Sequence, residues 1–268
     1  IAKFNLMRQL IIYFYIAVNF IFSNTIYHVP IEGTIDLGLP PYIERSINEA
    51  EEIGAESIIF EINTFGGRVD AATQIKDLIL DSKVPTVAFI NKRAISAGAL
   101  ISLSCEKIFM TGGATIGATT AVDGSGKKAS EKVISYMREE MAATAEKRGR
   151  SKEIARGMVD EELEFPSKIK YEYVTSDNEV DTIKTIVYYL IFDKDTIYVD
   201  DIEGRKQGNL ITMTTEQALK YKIADNSADT FDSVLDSLGL SGSTINTTNE
   251  NWSENFVIFL TNPVVASL

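Results

Sequence analysis

Apolar positions along this chain recur with two periods, and the period switches repeatedly. Residues 26–31 read as a strand. Residues 39–53 carry a helical pattern, with Pro40 and Pro41 near the start and Gly54 just past the end. Residues 57–63 (SIIFEIN) predict a second strand, residues 69–80 a helix, and the β-branched run 84–90 a third strand. Residues 96–104 fit a short helix and residues 107–110 a further strand. Strands alternating with helices predict an α/β fold with a mostly parallel sheet. Ligands of such sheets sit beyond the carboxyl ends of the strands. Two loops expected at that edge are NTFGGR, residues 63–68, and NKRAIS, residues 91–96.

Further along, residues 111–121 (TGGATIGATTA) predict a loop close to that edge, and residues 122–128 a flexible turn. Ser130 has the character of an N-cap, opening a long helix to Lys147 that Gly149 ends. Ser151 caps another helix, to residue 159. Residues 168–199 differ in kind: they are strand-prone and hold Tyr171, Tyr173, Tyr188, Tyr189 and Tyr198. They predict β-rich structure inserted into or appended to the core, over 168–208. Thr214 and Gln217 form a capping-box pattern. Residues 229–238 predict the last helix, and residues 241–255 a polar linker.

Both ends of the chain are apolar. Lys3 and Arg8 precede an almost unbroken apolar run, residues 10–22, followed by Ser23, Asn24 and Thr25. This order predicts a secretory signal or signal anchor over residues 1–25, and with it an extracytoplasmic body held at a membrane. Residues 256–268 (FVIFLTNPVVASL) turn apolar again and predict the start of a membrane segment. The domain body expected between these ends is residues 26–240.

The chain has 268 residues, 45% of them hydrophobic and 24% charged, enough for a large core. Its net charge of −12 argues against nucleic acid, which requires a basic footprint. Cys105 is the only cysteine and His28 the only histidine, which excludes an internal disulfide and any cysteine or histidine metal cluster. A Ser–His pair could use only His28, which sits in a predicted strand.

Ser96 is the candidate nucleophile, because Ala97 and Gly98 beside it let another backbone approach. The same small residues would also let a helix pack closely on a sheet. Serine attack on a carbonyl needs a base and oxyanion donors as well. Gly66 and Gly67 offer backbone N–H groups with freedom to turn, or alternatively a tight strand-to-helix turn. The N–H of Ala97, the residue after the nucleophile, is a second donor. With histidine disfavoured, lysine is the next candidate base, and it must be neutral to act. Burial and the positive end of a helix both favour that form. Lys132, two residues after the expected N-cap, has the second of these levers; Glu131 beside it opposes it. Lys127 and Lys128 in the glycine-rich turn are poorer candidates, and Lys92 and Arg93, close to Ser96 in sequence, are expected to face solvent at the strand end.

Taken in order, NTFGGRVDAA, INKRAISAGALISLSCEKIFM, TIGA, SEKVISYMREEMAATAEKRGRS and TTEQALKYKIAD resemble the ClpP-class serine protease domain of the long-form NfeD family. Its members are membrane-bound proteases partnered with stomatin-like proteins and related to signal peptide peptidase A. The resemblance implies a ClpP/crotonase-like fold of stacked ββα units and assembly into a homo-oligomer. It also implies a Ser-Lys dyad of Ser96 and Lys132, with oxyanion donors at Gly67 and Ala97 and no cofactor or metal. The expected substrates are peptides or hydrophobic segments of membrane proteins, such as a stomatin-like partner. A crotonase-type acyl-CoA enzyme would share the fold and the oxyanion hole, but the export signal argues against it. A non-catalytic membrane scaffold would have no reason to keep both Ser96 and Lys132.

Overall fold

The computed structural model describes residues 24–119, 127–176, 179–202, 204 and 206–261. In chain order the first half runs β1 (Thr25–Ile35), α1 (Leu39–Glu52), β2 (Ser57–Gly67), α2 (Val69–Asp81), β3 (Thr86–Ile95), α3 (Ala97–Ser104), β4 (Lys107–Met110) and β5 (Thr115–Gly117). Two helices follow, α4 (Glu131–Lys147) and α5 (Lys152–Gly157), and then β6 (Ser167–Ser176), β7 (Glu179–Phe192) and β8 (Asp195–Tyr198). The chain continues through β9 (Thr212–Thr214), α6 (Thr215–Lys220), β10 (Asn226–Ser227), α7 (Phe231–Leu238), β11 (Thr244–Thr247) and α8 (Trp252–Thr261).

The central sheet has the order β10-β4-β3-β2-β1-β11, with every neighbouring pair parallel. Strands 1 to 3 are buried on both faces, as parallel strands covered by helices must be. One face packs against α1 to α4 through a large core that includes Val29, Ile31, Phe60, Ile62, Ile75 and Leu100. The other face is smaller: Ile26, Ile59, Val87, Phe89 and Phe109 meet Val234 and Leu235 of α7. β5 pairs the carboxyl end of β3 and is itself paired antiparallel by β9.

Several expected boundaries shift. β2 and β3 do not stop at Asn63 and Ile90 but continue through both presumed loops to Gly67 and Ile95. Each continuation crosses a register shift, between Glu32 and Thr34 of β1 and between Ile62 and Thr64 of β2. These irregularities let polar, glycine-containing sequence stay in the ladder while re-aiming its side chains. Residues 111–121, expected to be loop, contain β5. The stretch taken for a polar linker supplies β11, which pairs with the edge of β1 from Thr25 to His28. The last helix among the described residues is therefore α8 rather than α7. Residues 1–23, 120–126 and 262–268, where the signal segment, most of the flexible turn and the end of the apolar C-terminal stretch fall, lie outside the described residues. Residues 256–261 belong to α8. No helix among the described residues is long and apolar enough to cross a membrane.

Candidate active site

The carboxyl edge of the sheet brings four backbone segments together. Thr34 pairs with Gly66, Ile35 with Gly67, Thr64 with Ala94, and Ile95 with Gly117. Ser96 stands at the junction of β3 and α3. It is the N-cap residue of that helix and has φ 56° and ψ −118°, a backbone conformation that L-residues rarely adopt. The surroundings hold it there: its N–H donates to the Gly117 carbonyl at 2.9 Å, and its carbonyl accepts from the Ala99 N–H at 2.9 Å. The side chain is thereby turned off the strand at a sharp bend. Ala97 is the first residue of the helix, so its N–H has no acceptor within α3.

Gly66 explains why a glycine pair precedes α2. It has φ +107°, and a Cβ built on it would lie 2.5 Å from Ser96 Cβ and 3.0 Å from Ser96 Oγ. The Gly66 backbone is thus the wall against which the serine side chain rests. Its N–H donates to Thr64 Oγ1 at 2.9 Å, and the Thr64 hydroxyl in turn donates to the Gly33 carbonyl. The Gly66 amide is therefore engaged within the turn. Gly67 has its own reason to lack a side chain, since a Cβ there would come within 2.0 Å of the Ile35 carbonyl oxygen. Gly98 is likewise pressed against Thr64 Cγ2, at 2.4 Å from an ideal Cβ. Thr64 therefore contacts both sides of the Ser96 turn. The sequence reading missed it, and a β-branched hydroxyl residue two positions before the glycine pair was the available signal.

Lys132 lies in the first turn of α4, after the N-cap residue Ser130. Its side chain is exposed. The Ser130 side chain makes no capping bond. Glu131 does not confront Lys132 alone; its carboxylate lies 3.8 Å from the Arg138 guanidinium. Two other lysines are held as ammonium groups by carboxylates. Lys128 is bonded to Glu161 at 2.6 Å, and that carboxylate holds its ammonium above the usual lysine range. Lys76 is buried, which would favour the neutral form, but bonds to Asp77 and Glu140, each at 2.7 Å, outweigh burial and raise it. Lys92 is exposed, and the Arg93 guanidinium sits 4.3 Å from the centre of the Phe65 ring.

His28 is a strand residue bonded to Glu61 at 2.8 Å and to Thr247 at 3.3 Å. It is level with Ile59, which is level with Val87 of β3. The eight strand steps from Val87 to Ile95 place it roughly 25 Å below Ser96 at about 3.3 Å per residue. It serves the sheet and cannot reach the serine. Among the described residues, no group of acidic, histidine or cysteine side chains could hold a metal ion.

A helix-covered parallel sheet, with a serine at a strand–helix junction of its carboxyl edge, gives this α/β chain a ClpP-like fold. Over residues 25–183 the chain matches the family described as NfeD1b, N-terminal domain, and it belongs to that family. It is 30% identical over 246 residues to Membrane protein NfeD1b of Bacillus subtilis strain 168, covering 92% of this chain and 48% of the relative. It is 29% identical over 176 residues to Membrane-bound protease PH1510 of Pyrococcus horikoshii, covering 63% of this chain and 40% of that protein. The chain thus spans less than half the length of these curated relatives. The fold is that of 1510-N, a membrane-bound stomatin-specific protease. A lysine-to-alanine variant of 1510-N bound to a substrate peptide superposes with a TM-score of 0.64 at 21% identity, covering 89% of this chain and 98% of that one. A serine-to-alanine variant superposes with a TM-score of 0.62 at 22% identity, covering 86% of this chain and all of the other.

Proposed function

We propose that this chain is the protease portion of a membrane-associated serine endopeptidase. Ser96 Oγ attacks the scissile carbonyl, and Lys132 accepts its proton. The N–H groups of Gly67 and Ala97 bind the oxyanion, and Lys132 then protonates the leaving amine. A water activated by the same lysine releases the acyl-enzyme. The observation that carries this reading is the Ser96 turn: a strained backbone, a glycine wall at Gly66 and an open helix N-terminus beginning at Ala97. A serine that only packed a helix on a sheet would need none of these.

The exposure of Lys132 assigns a task to the substrate. A peptide lying between Ser96 and Lys132 would exclude water from the ammonium group and so favour the neutral, basic form. Phe65, 73% exposed next to Gly66, offers an apolar contact at the same edge and suits hydrophobic substrate segments. The relatives support both membrane association and a peptide substrate, with a stomatin-like protein as the first candidate to test. The domain is proposed to lie on the extracytoplasmic side.

The test is cleavage of apolar peptides by wild type, Ser96→Ala and Lys132→Ala over a pH series. Wild type should cut, with a rate that rises with pH because only a neutral lysine is a base. Each variant should lose at least about 1,000-fold in kcat/KM, since nucleophile and base act as one unit. Retained cleavage by Lys132→Ala would move the base elsewhere; retained cleavage by Ser96→Ala would end the serine mechanism.

A further inference from the structure

β6, β7 and β8 form a separate antiparallel sheet in the order β6-β7-β8, which leaves the outer side of β6 as an edge. Among the described residues no strand pairs with that edge. The Tyr189 N–H donates to the Pro166 carbonyl at 2.9 Å, and the register runs on from Ser167 opposite Tyr188. Hydrogen-bonded and non-hydrogen-bonded pairs alternate in an antiparallel ladder. Even-numbered residues of β6 therefore turn their backbone groups toward β7. Ile169, Tyr171 and Tyr173 present theirs to the open side. Their side chains share one face of the strand, and they are 55%, 50% and 74% exposed. Ile186, directly across from Ile169, is 60% exposed on the same face. A ten-residue strand with an open edge is a template for pairing with another strand, and the exposed Ile169, Tyr171 and Tyr173 add apolar surface to it.

We infer that β6 pairs antiparallel with β6 of a second copy of this chain, about a twofold axis through Tyr171. The register follows from charge. An axis at Lys170 would set Lys170 against its own copy, and one at Glu172 would do the same with Glu172. An axis at Tyr171 sets each Lys170 opposite the other copy's Glu172, two complementary pairs at directly facing positions. It also aligns Ile169 with Tyr173 of the other copy and Tyr171 with itself, so each pair exchanges two backbone hydrogen bonds. Within one chain Lys170 already bonds Glu172 at 2.8 Å, on the face opposite the tyrosines, so both charges are placed for the exchange. The result is a continuous β7-β6-β6-β7 sheet joining two protease bodies. This pairing stands independently of the chemistry at Ser96.

Cysteine cross-linking of the full 268-residue chain tests it, because Cys105 is buried and gives no background. Facing Cα atoms of a hydrogen-bonded pair lie about 5.5 Å apart, within disulfide range. Tyr171→Cys should therefore form covalent dimer under mild oxidation at least tenfold faster than Ile183→Cys, a comparably exposed site on the inner strand. Added to Tyr171→Cys, either Lys170→Glu or Glu172→Lys should slow cross-linking about tenfold by setting like charges opposite each other. The two together should restore it to within about threefold. Circular dichroism confirms that each variant is folded. Equal rates at positions 171 and 183, absence of dimer, or failure of the double exchange to restore the rate would each overturn the inference.

Discussion

At the scale of single residues, the site depends on atoms that are absent. A methyl group at Gly66 would meet Ser96 Cβ at 2.5 Å, and the position also requires φ +107°. Gly66→Ala must therefore displace the serine or distort β2, at a cost on the order of 1–3 kcal/mol. We expect at least a 100-fold loss of peptide cleavage, since misplacing a nucleophile by an ångström has that effect. Gly54 is the control. It also has positive φ, +64°, but a Cβ there meets nothing within 4 Å. Gly54→Ala should cost about 1–2 kcal/mol of stability and leave cleavage unchanged. Kinetics and urea midpoints on the two variants separate the steric demand of the site from the general cost of a left-handed residue. The sequence marked this place but not its division of labour. Gly66 and Gly67 were visible as a pair, yet which one walls the serine and which one presses on β1 depends on the register shift and on Thr64. Those are properties of three strands at once, and no local pattern encodes them.

At the scale of elements, the helices legible in the sequence were those with their own apolar period or their own capping chemistry. The reciprocal bonds of Thr214 and Gln217 at the start of α6, and the Ser151 cap of α5, are local and appear as expected. β11 and α8 were not legible, because what holds them is distant. β11 gains a ladder from β1, and α8 is clamped to α1 by Arg45, whose guanidinium bonds both Glu254 carboxylate oxygens at 2.8 and 2.9 Å. Burial of Glu254 pushes its carboxyl up, but the bonds from Arg45 and from the Asn251 N–H outweigh burial and leave it below the usual range. A depressed carboxylate stabilises the fold above its unfolded value, near 4.3, and that contribution is lost as pH falls through the lower folded value. Acid should therefore release α8 before the sheet melts. Trp252, the only tryptophan, lies in α8 and reports the step through its emission. Glu254→Gln should lower stability at neutral pH by about 1–3 kcal/mol and flatten this acid transition. An unchanged transition would show that the clamp does not hold the helix.

At the scale of the whole molecule, two features pull in opposite directions. A net charge of −12 repels an anionic lipid surface. Yet α8 carries Trp252, Phe256, Phe259 and Leu260 at helical spacing, between 48% and 81% exposed, with the Trp252 and Phe256 rings stacked at 5.7 Å. Among the described residues, no packing covers this aromatic stripe. A stripe of this kind suits the boundary between headgroups and acyl chains, where one side of a helix is apolar and the other wet. If α8 is what brings the protease body to a membrane, binding should be driven by apolar contact and opposed by surface charge. The chain should then co-sediment with zwitterionic vesicles more strongly than with vesicles rich in anionic lipid, and added salt should narrow the difference by screening the repulsion. Phe256→Asp with Phe259→Asp should cut zwitterionic binding by about tenfold or more while leaving cleavage of a soluble peptide intact. Stronger binding to anionic vesicles, or binding indifferent to these two phenylalanines, would remove α8 as the docking element.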